Sequence, residues 1–384
     1  MMRDAIVLSG LSWEAFNVPE RISNALAGLG CKVLHSGPPV SVFRSKARAL
    51  TQVADRIHSL QLRFISSRFN HLPGASLLQA RMLCNQIESA AGELDLRDPI
   101  FYYMQMGRLF PLCRLMKRNH FIVHMCIDEP LEPDYDRRYV EVSDRTVVIP
   151  KSTYHMLRAK FGDKVQMIRQ SVDFRELTEW GASDRPEPPA LSIIPRPRLA
   201  YLGPPYTRLN LPVLWSVLRS HPEWNFVSVG GRKAAPLANA HTLPWVRAEA
   251  RASYLRNIDV GFLPYNCHNK SERHCVPLKL FDCFAFGIPV VATPLIHLWE
   301  YRDLVYFGDT AGELTSAVEQ ALREPRDSAK RFARIEVARR HSLENLAAEL
   351  TELLPLSCDE AVPAKAPQQG QQRAPAQLIQ GGHR

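Results

Sequence analysis

The chain has 384 residues, 46% of them hydrophobic and 23% charged, with a formal net charge of +9 and eight cysteines. That length accommodates two domains with separate cores, and the apolar fraction excludes disorder over most of the chain. The longest apolar run, 281–299, is broken by Asp282, Gly287 and two prolines, which excludes a membrane-spanning helix, and the cysteines form no CxxC pair, which fits a reducing cytoplasm.

In chain order, Ala5 to Ser9 predicts a short buried strand, followed by a loop to Asn17 and a helix from about Pro19 to Leu29. Gly30 stops that helix, and Lys32 to His35 begins the next strand, so the chain opens as a parallel β–α–β unit. No charged leader with a long apolar core precedes it, so a secretory signal is not expected. Strands are expected at Pro99 to Met104 and Phe121 to Cys126, with a helix around Arg108 to Asn119 between them. Thr146 to Pro150 and Lys164 to Ile168 read as further strands, flanking a helix over Lys151 to Phe161. From Ser183 to Arg198 the chain carries five prolines without clear periodicity, the composition of a stiff linker. Beyond it, strands are expected at Arg198 to Leu202, Asn225 to Val229 and Leu243 to Val246, with a helix over Leu211 to Arg219. Ser342 to Leu354 reads as a final helix, and the Pro/Gln/Ala/Gly-rich stretch after Leu356 as a disordered tail.

The positive charge is concentrated in the first half. Residues 44–68 hold six basic residues against Asp55, and residues 99–127 hold Arg108, Arg114, Lys117 and Arg118 against none. In the first segment Phe43, Ala47, Leu50, Ala54, Ile57 and Phe64 recur at helical spacing beside the arginines. That spacing predicts a basic amphipathic helix, which either lies on anionic lipid or packs its stripe on a core. No helix-turn-helix, finger or RNP-type motif accompanies the charge, so nucleic acid is not an expected partner.

The most informative stretch is YLRNIDVGFLPYNCHNKSERHCVPLKLFDCFAFGIPVVATP, residues 254–294. Its apolar runs Ile258 to Leu263 and Ile288 to Ala292 have the length and β-branched content of parallel strands. Pro277 to Phe286 reads as the helix between them, with Pro277 in its first turn and Gly287 as its stop. The loop entering such a helix is where phosphate groups bind.

This segment resembles the nucleotide-sugar region of the GT-B glycosyltransferases, of the family 4/1-like kind found in bacterial exopolysaccharide and teichuronic-acid synthesis. The opening W-x-x-x-x-x-x-x-R arrangement of Trp13 and Arg21, the Pro38-Pro39 loop and the SVD of residues 171–173 fit the same family. The resemblance implies an α/β fold of two Rossmann-like domains facing across a cleft. The first would span 1–182, the linker 183–198 and the nucleotide-sugar domain 199–341, with a helix at 342–356 crossing back and a tail at 357–384. It further implies a glycosyltransferase using a UDP-sugar, with a lipid-linked or polysaccharide acceptor, at the inner face of a bacterial membrane.

The site residues follow from that match. Asp282 stands where many of these enzymes carry the second glutamate of an E-x7-E pair, the one that contacts the donor ribose, and His274 occupies the place of the first. Lys279 resembles the lysine that meets donor phosphates. The amides after Val276, Pro277 at the helix start, and Gly203 and Arg208 in the GPPYTRLN loop complete the donor set, with Arg232 and Lys233 as weaker candidates. Asp128, after the strand FIVHMC, is the expected base of an inverting reaction, with Glu129 as its alternative. In a retaining reaction Asp128 would hold the acceptor instead. Asn17 and Arg21 would line the same cleft.

No metal or cofactor is expected. Asp134-Tyr135-Asp136 spells DxD but lies in a polar stretch away from the donor segment, and Cys267, His268, His274 and Cys275 match no zinc spacing. Two other readings stay open. One is a nucleotide-sugar 2-epimerase, which turns over its donor without an acceptor. The other is a non-catalytic binding or scaffold subunit, which binds donor without turnover.

Overall fold

The computed structural model describes residues 2–356 apart from 10–12, 14–16, 44–49, 66–73, 105–109, 128–132, 183–185, 204–207, 232–235, 247 and 268–274. Its first half contains strands β1 (Ala5–Leu8), β2 (Val33–Ser36), β3 (Val40–Ser41), β4 (Leu50–Ala54), β5 (Ile57–Leu60), β6 (Arg63–Phe64), β7 (Ile100–Met104), β8 (Ile122–Cys126), β9 (Arg145–Val148) and β10 (Val165–Met167). Helices α1 (Val18–Gly28), α2 (Ala75–Glu93), α3 (Phe110–Met116), α4 (Pro133–Val142) and α5 (Lys151–Phe161) connect them. Eight of these strands form one sheet in the order β10-β9-β8-β7-β1-β2-β5-β4, parallel throughout except for the β4–β5 pair.

The second half begins with α6 (Phe174–Ala182) and α7 (Pro189–Ser192). It continues with β11 (Arg198–Leu202), α8 (Leu211–Ser220), β12 (Asn225–Val229), β13 (Ala240–Leu243), α9 (Ala248–Leu255) and β14 (Val260–Leu263). Helix α10 (Leu278–Ala285), β15 (Val290–Ala292), β16 (Val305–Phe307), α11 (Ala311–Leu322), α12 (Ala329–Arg340) and α13 (Leu343–Leu353) follow. Here the sheet is six-stranded and wholly parallel, β13-β12-β11-β14-β15-β16. Its central strands β12, β11, β14 and β15 are buried on both faces, which is why they read as largely apolar runs.

Each sheet has its own core. Tyr201, Phe226, Val260, Phe262, Phe281 and Val290 belong to the second, and Val7, Ile22, Val33, Tyr102 and Val123 to the first. Helix α13 packs along α1, and its Leu346, Ala347 and Leu350, with Leu354 and Leu356, join the core of the first sheet. Arg3 N–H donates to Leu356 C=O at 2.7 Å, tying the end of this segment beside β1.

Two sequence expectations are corrected. The basic amphipathic helix across residues 43–64 does not form: β4, β5 and β6 occupy the described part of that stretch. Asp55 and Arg56 make a reversal, with Arg56 at φ +57°, and β5 then pairs with β2 in the main sheet. Leu60 and Leu62, outside the supposed helical stripe, are fully buried together with Ile57. The long-range pairing with β2 outweighs a local periodicity of few apolar residues. The strand placed at Leu243–Val246 lies three residues earlier, at Ala240–Leu243, because Pro244 has no N–H to give the ladder. The proline-rich stretch contains α7, and its Leu191 and Ile194 are buried against Val227, Val229 and Tyr254.

Candidate active site

The two sheets bring different parts of the site. In the second sheet the strand order reverses between β11 and β14, and ligands of parallel α/β sheets bind where such a reversal leaves a crevice at the strands' carboxyl ends. Gly203 ends β11 there with φ +141°, and its N–H donates to Val229 C=O at 2.7 Å. A Cβ at Gly203 would stand 2.9 Å from Lys279 Cε and 3.3 Å from Nζ, so the lysine lies directly on the glycine backbone. Lys279 Nζ sits 4.9 Å from the centre of the Tyr201 ring, a cation–π placement that holds the ammonium at the crevice. The neighbouring turn ends β12 at Gly230, φ +117°, where a Cβ would meet Trp245 Cε3 at 2.5 Å and Gly203 Cα at 3.4 Å. Lys279, Gly203, Gly230 and the half-exposed Trp245 therefore form one continuous floor, with a cation at one end and an indole at the other.

Arg208 lies exposed beside this floor. Its carbonyl accepts from Asn266 N–H at 3.0 Å, and Leu209 bridges to Tyr265, so the loop after β11 is pinned to the segment after β14. Helix α10 begins at Leu278 with Pro277 as its N-cap and no side-chain cap. Pro277 has no N–H, so the first amide this helix can offer after Val276 is that of Leu278.

Asp282 points elsewhere. It is 3% exposed; its Oδ1 accepts from Arg21 Nη2 at 3.1 Å, and Arg251 Nη1 approaches its Oδ2 at 3.6 Å. Arg21 comes from α1 of the first sheet, 261 residues away, so this buried pair crosses between the two halves. Burial pushes the Arg21 guanidinium down from its usual value, a shift that Asp282 opposes. Asp173, in the crossing segment, is pushed up by burial and held back by its bond to Glu176 and by the fields of Arg21 and Arg251. Asn17 caps α1 through Oδ1 to the Glu20 N–H at 3.1 Å, one turn before Arg21 on the same face. Among the described residues, Asn17 Nδ2 and Arg21 Nη1 are buried without a hydrogen-bond partner.

Thus Gly203 and Lys279 come together, as do Arg21 and Asp282, with Asn17 nearby, while Arg208 sits at the margin. Asp128, Glu129, His274, Arg232 and Lys233 lie outside the described residues. Strand β8, which leads to Asp128, carries the fully buried His124, stacked on Tyr103 at 5.3 Å and on Tyr139 at 5.6 Å. Sequence reasoning missed Trp245, Gly230 and Arg251. Trp245 did leave a signal, since a large aromatic directly after a strand and a proline has no core position to fill.

Residues 212–352 match the model of the glycosyl transferase-like family. Comparison with curated proteins finds no sequence match. Among solved structures the chain is similar to sucrose-phosphate synthase from Thermosynechococcus elongatus, with a TM-score of 0.65 and 13% identity, over 91% of this chain and 98% of that one. It is also similar to an α,α-trehalose-phosphate synthase (UDP-forming) from Burkholderia xenovorans in complex with glucose-6-phosphate, with a TM-score of 0.63, 13% identity and coverage of 91% and 99%. An E. coli trehalose-6-phosphate structure bound with UDP-2-fluoro glucose gives 0.61 and 13%, over 91% and 99%. At this identity the likeness establishes the fold. Over nine-tenths of its length the chain has the GT-B fold, and its residues 212–352 match the glycosyl transferase-like family model.

Proposed function

We propose that the protein transfers a sugar from a nucleotide-diphosphate sugar, a UDP-sugar, to a hydroxyl of a glycan or lipid-linked acceptor held on the first sheet. The observation that carries this reading is the floor of Lys279, Gly203, Gly230 and Trp245 at the strand-order reversal. A diphosphate placed on Gly203, which has no side chain of its own, meets the Lys279 ammonium. A nucleobase one ribose further on meets the exposed indole of Trp245. A structure of this fold that holds UDP-2-fluoro glucose supports a UDP-sugar donor.

In the transfer, an acceptor oxygen bonds to the anomeric carbon as the carbon–oxygen bond to the diphosphate breaks, and the electron pair leaves with UDP. Lys279 and the uncapped N-terminus of α10 stabilise the negative charge that develops on the leaving oxygen. These groups act without a metal in our reading. The acceptor's proton passes to Asp128 or Glu129 if the anomeric centre inverts, or to the leaving diphosphate if it is retained. For the acceptor, Asn17 contributes a donor at the junction.

Thermal unfolding with a panel of nucleotides and nucleotide sugars, with and without chelator, tests the reading. A ligand bound only by the folded state raises the midpoint, and at one hundred times its Kd it adds about 2.7 kcal/mol. A rise with UDP, larger with one UDP-sugar and unaffected by chelator, is the expected result. No shift with any nucleotide would remove the donor site and leave the scaffold reading.

A further inference from the structure

We propose that Asp282 serves the domain junction: paired with Arg21 it forms a clamp that holds α10, and the Lys279 that α10 carries, against the first sheet, leaving a nucleotide's ribose to other groups. The inference rests on the nucleotide-sugar reading for its functional consequence, and on the geometry alone for the clamp.

Both side chains of the pair are almost fully buried, 5% and 4% exposed, and both Asp282 oxygens face arginines, so no oxygen is turned to a ligand. The same helix is gripped from the first half at further points. Gln170 Nε2 donates to Val276 C=O at 3.0 Å, and Val276 and Leu278 pack against the core of the first sheet. Phe281, adjacent to Asp282, stacks on His341 at 4.2 Å, and His341 Nδ1 lies 2.5 Å from Gln170 C=O. The helix that presents a cation to the donor is thus tied to the half expected to hold the acceptor. A shift of α10 by about 1 Å would misplace the reacting atoms enough to cost on the order of 100-fold in rate.

Arg21→Gln removes the crossing charge and leaves Arg251 beside Asp282, Asp282→Asn keeps the shape of the acceptor group, and Arg21→Lys is the conservative control. For each, UDP and 2′-deoxy-UDP affinity is measured by calorimetry, the radius of gyration by X-ray scattering, and UDP-glucose turnover for KM and kcat. The expected result is UDP affinity within about threefold of the unmodified protein and the same preference for UDP over 2′-deoxy-UDP. An increased radius of gyration and a kcat lowered at least tenfold should accompany it, with Arg21→Lys recovering part of both. Tenfold weaker UDP binding by Asp282→Asn, with 2′-deoxy-UDP unaffected, would make Asp282 a ribose ligand and overturn the proposal. So would unchanged kcat and radius in Arg21→Gln. Should Arg21→Gln not fold, Asp282→Asn, which removes the other charge of the pair, carries the same readouts. Absence of UDP binding by the unmodified protein defeats the nucleotide-sugar reading instead, while the scattering comparison still decides the clamp.

Discussion

Lys279 and Gly203 show how much a single contact can fix. A φ of +141° is one that only glycine adopts without strain, and any Cβ there would push into the lysine. Gly203→Ala is therefore expected to displace the Lys279 ammonium and weaken UDP binding about as much as Lys279→Ala. A charge-assisted bond to phosphate contributes about 1.5–3 kcal/mol, so Lys279→Ala should lose roughly 10- to 100-fold in UDP affinity by calorimetry. Trp245→Ala removes the stacking plate and should weaken UDP while leaving inorganic diphosphate unaffected, a comparison that separates base contact from phosphate contact. Lys279 was legible because it sits at a fixed offset before Ala-x-Gly-x-Pro in the sequence. Arg251 was not, since its approach to Asp282 depends on α6 packing against both α9 and α10, and no spacing in the chain records that distance.

At the scale of elements, buried histidines make β2 and β8 sensitive to acid. Burial pushes His35 down to about 4 and His124 down to about 3, from the ordinary 6.5. The unfolded chain takes up a proton at each as pH falls below 6.5, while the folded protein does not. Their contribution is thus fully present above that pH and is lost progressively between pH 6.5 and about 4 to 3. At about 1.4 kcal/mol per unit per group, stability at pH 5 should lie on the order of 4 kcal/mol below its value at pH 7. Denaturant midpoints across that range measure it, and His124→Leu should flatten the dependence by about half. Helices α11 and α12 are joined differently, by Arg334, which is fully buried with both terminal nitrogens on Glu324 at 2.7 Å. Removing the cation leaves the half-buried Glu324 carboxylate held only by Tyr306 and Ser328, so Arg334→Ala should cost about 3 kcal/mol in chemical unfolding. Elements of this kind divide by what they rest on. The strands Arg198–Leu202, Asn225–Val229, Val260–Leu263 and Val290–Ala292 were legible because parallel strands buried on both faces read as short apolar runs, whereas helix α9 and the bounds of β13 were not. Nor was helix α2, because in its buried stripe Gln79, Ala80, Ala90 and Ala91 outnumber Leu83 and Ile87 and mute the apolar periodicity.

Across the whole molecule, α13 is the element on which the two halves depend jointly. It follows the last helix of the second half, yet Leu346, Leu350, Leu354 and Leu356 complete the core of the first sheet. Burying one leucine contributes about 1.5–3 kcal/mol, so four approach the entire stability of a typical domain. Ending the chain at Ser342 should therefore unfold the first half while the second retains a thermal transition of its own, which calorimetry would show as the loss of one of two transitions. The sequence by itself determined the α/β class and the β–α–β unit of residues 258–292, because strand length, helix punctuation and glycine placement are local properties. Only the tertiary structure decided that residues 50–64 are strands, that Trp245 floors the crevice and that Asp282 faces Arg21. Each depends on which distant segment packs alongside, and burial free energy between remote residues overrides local periodicity.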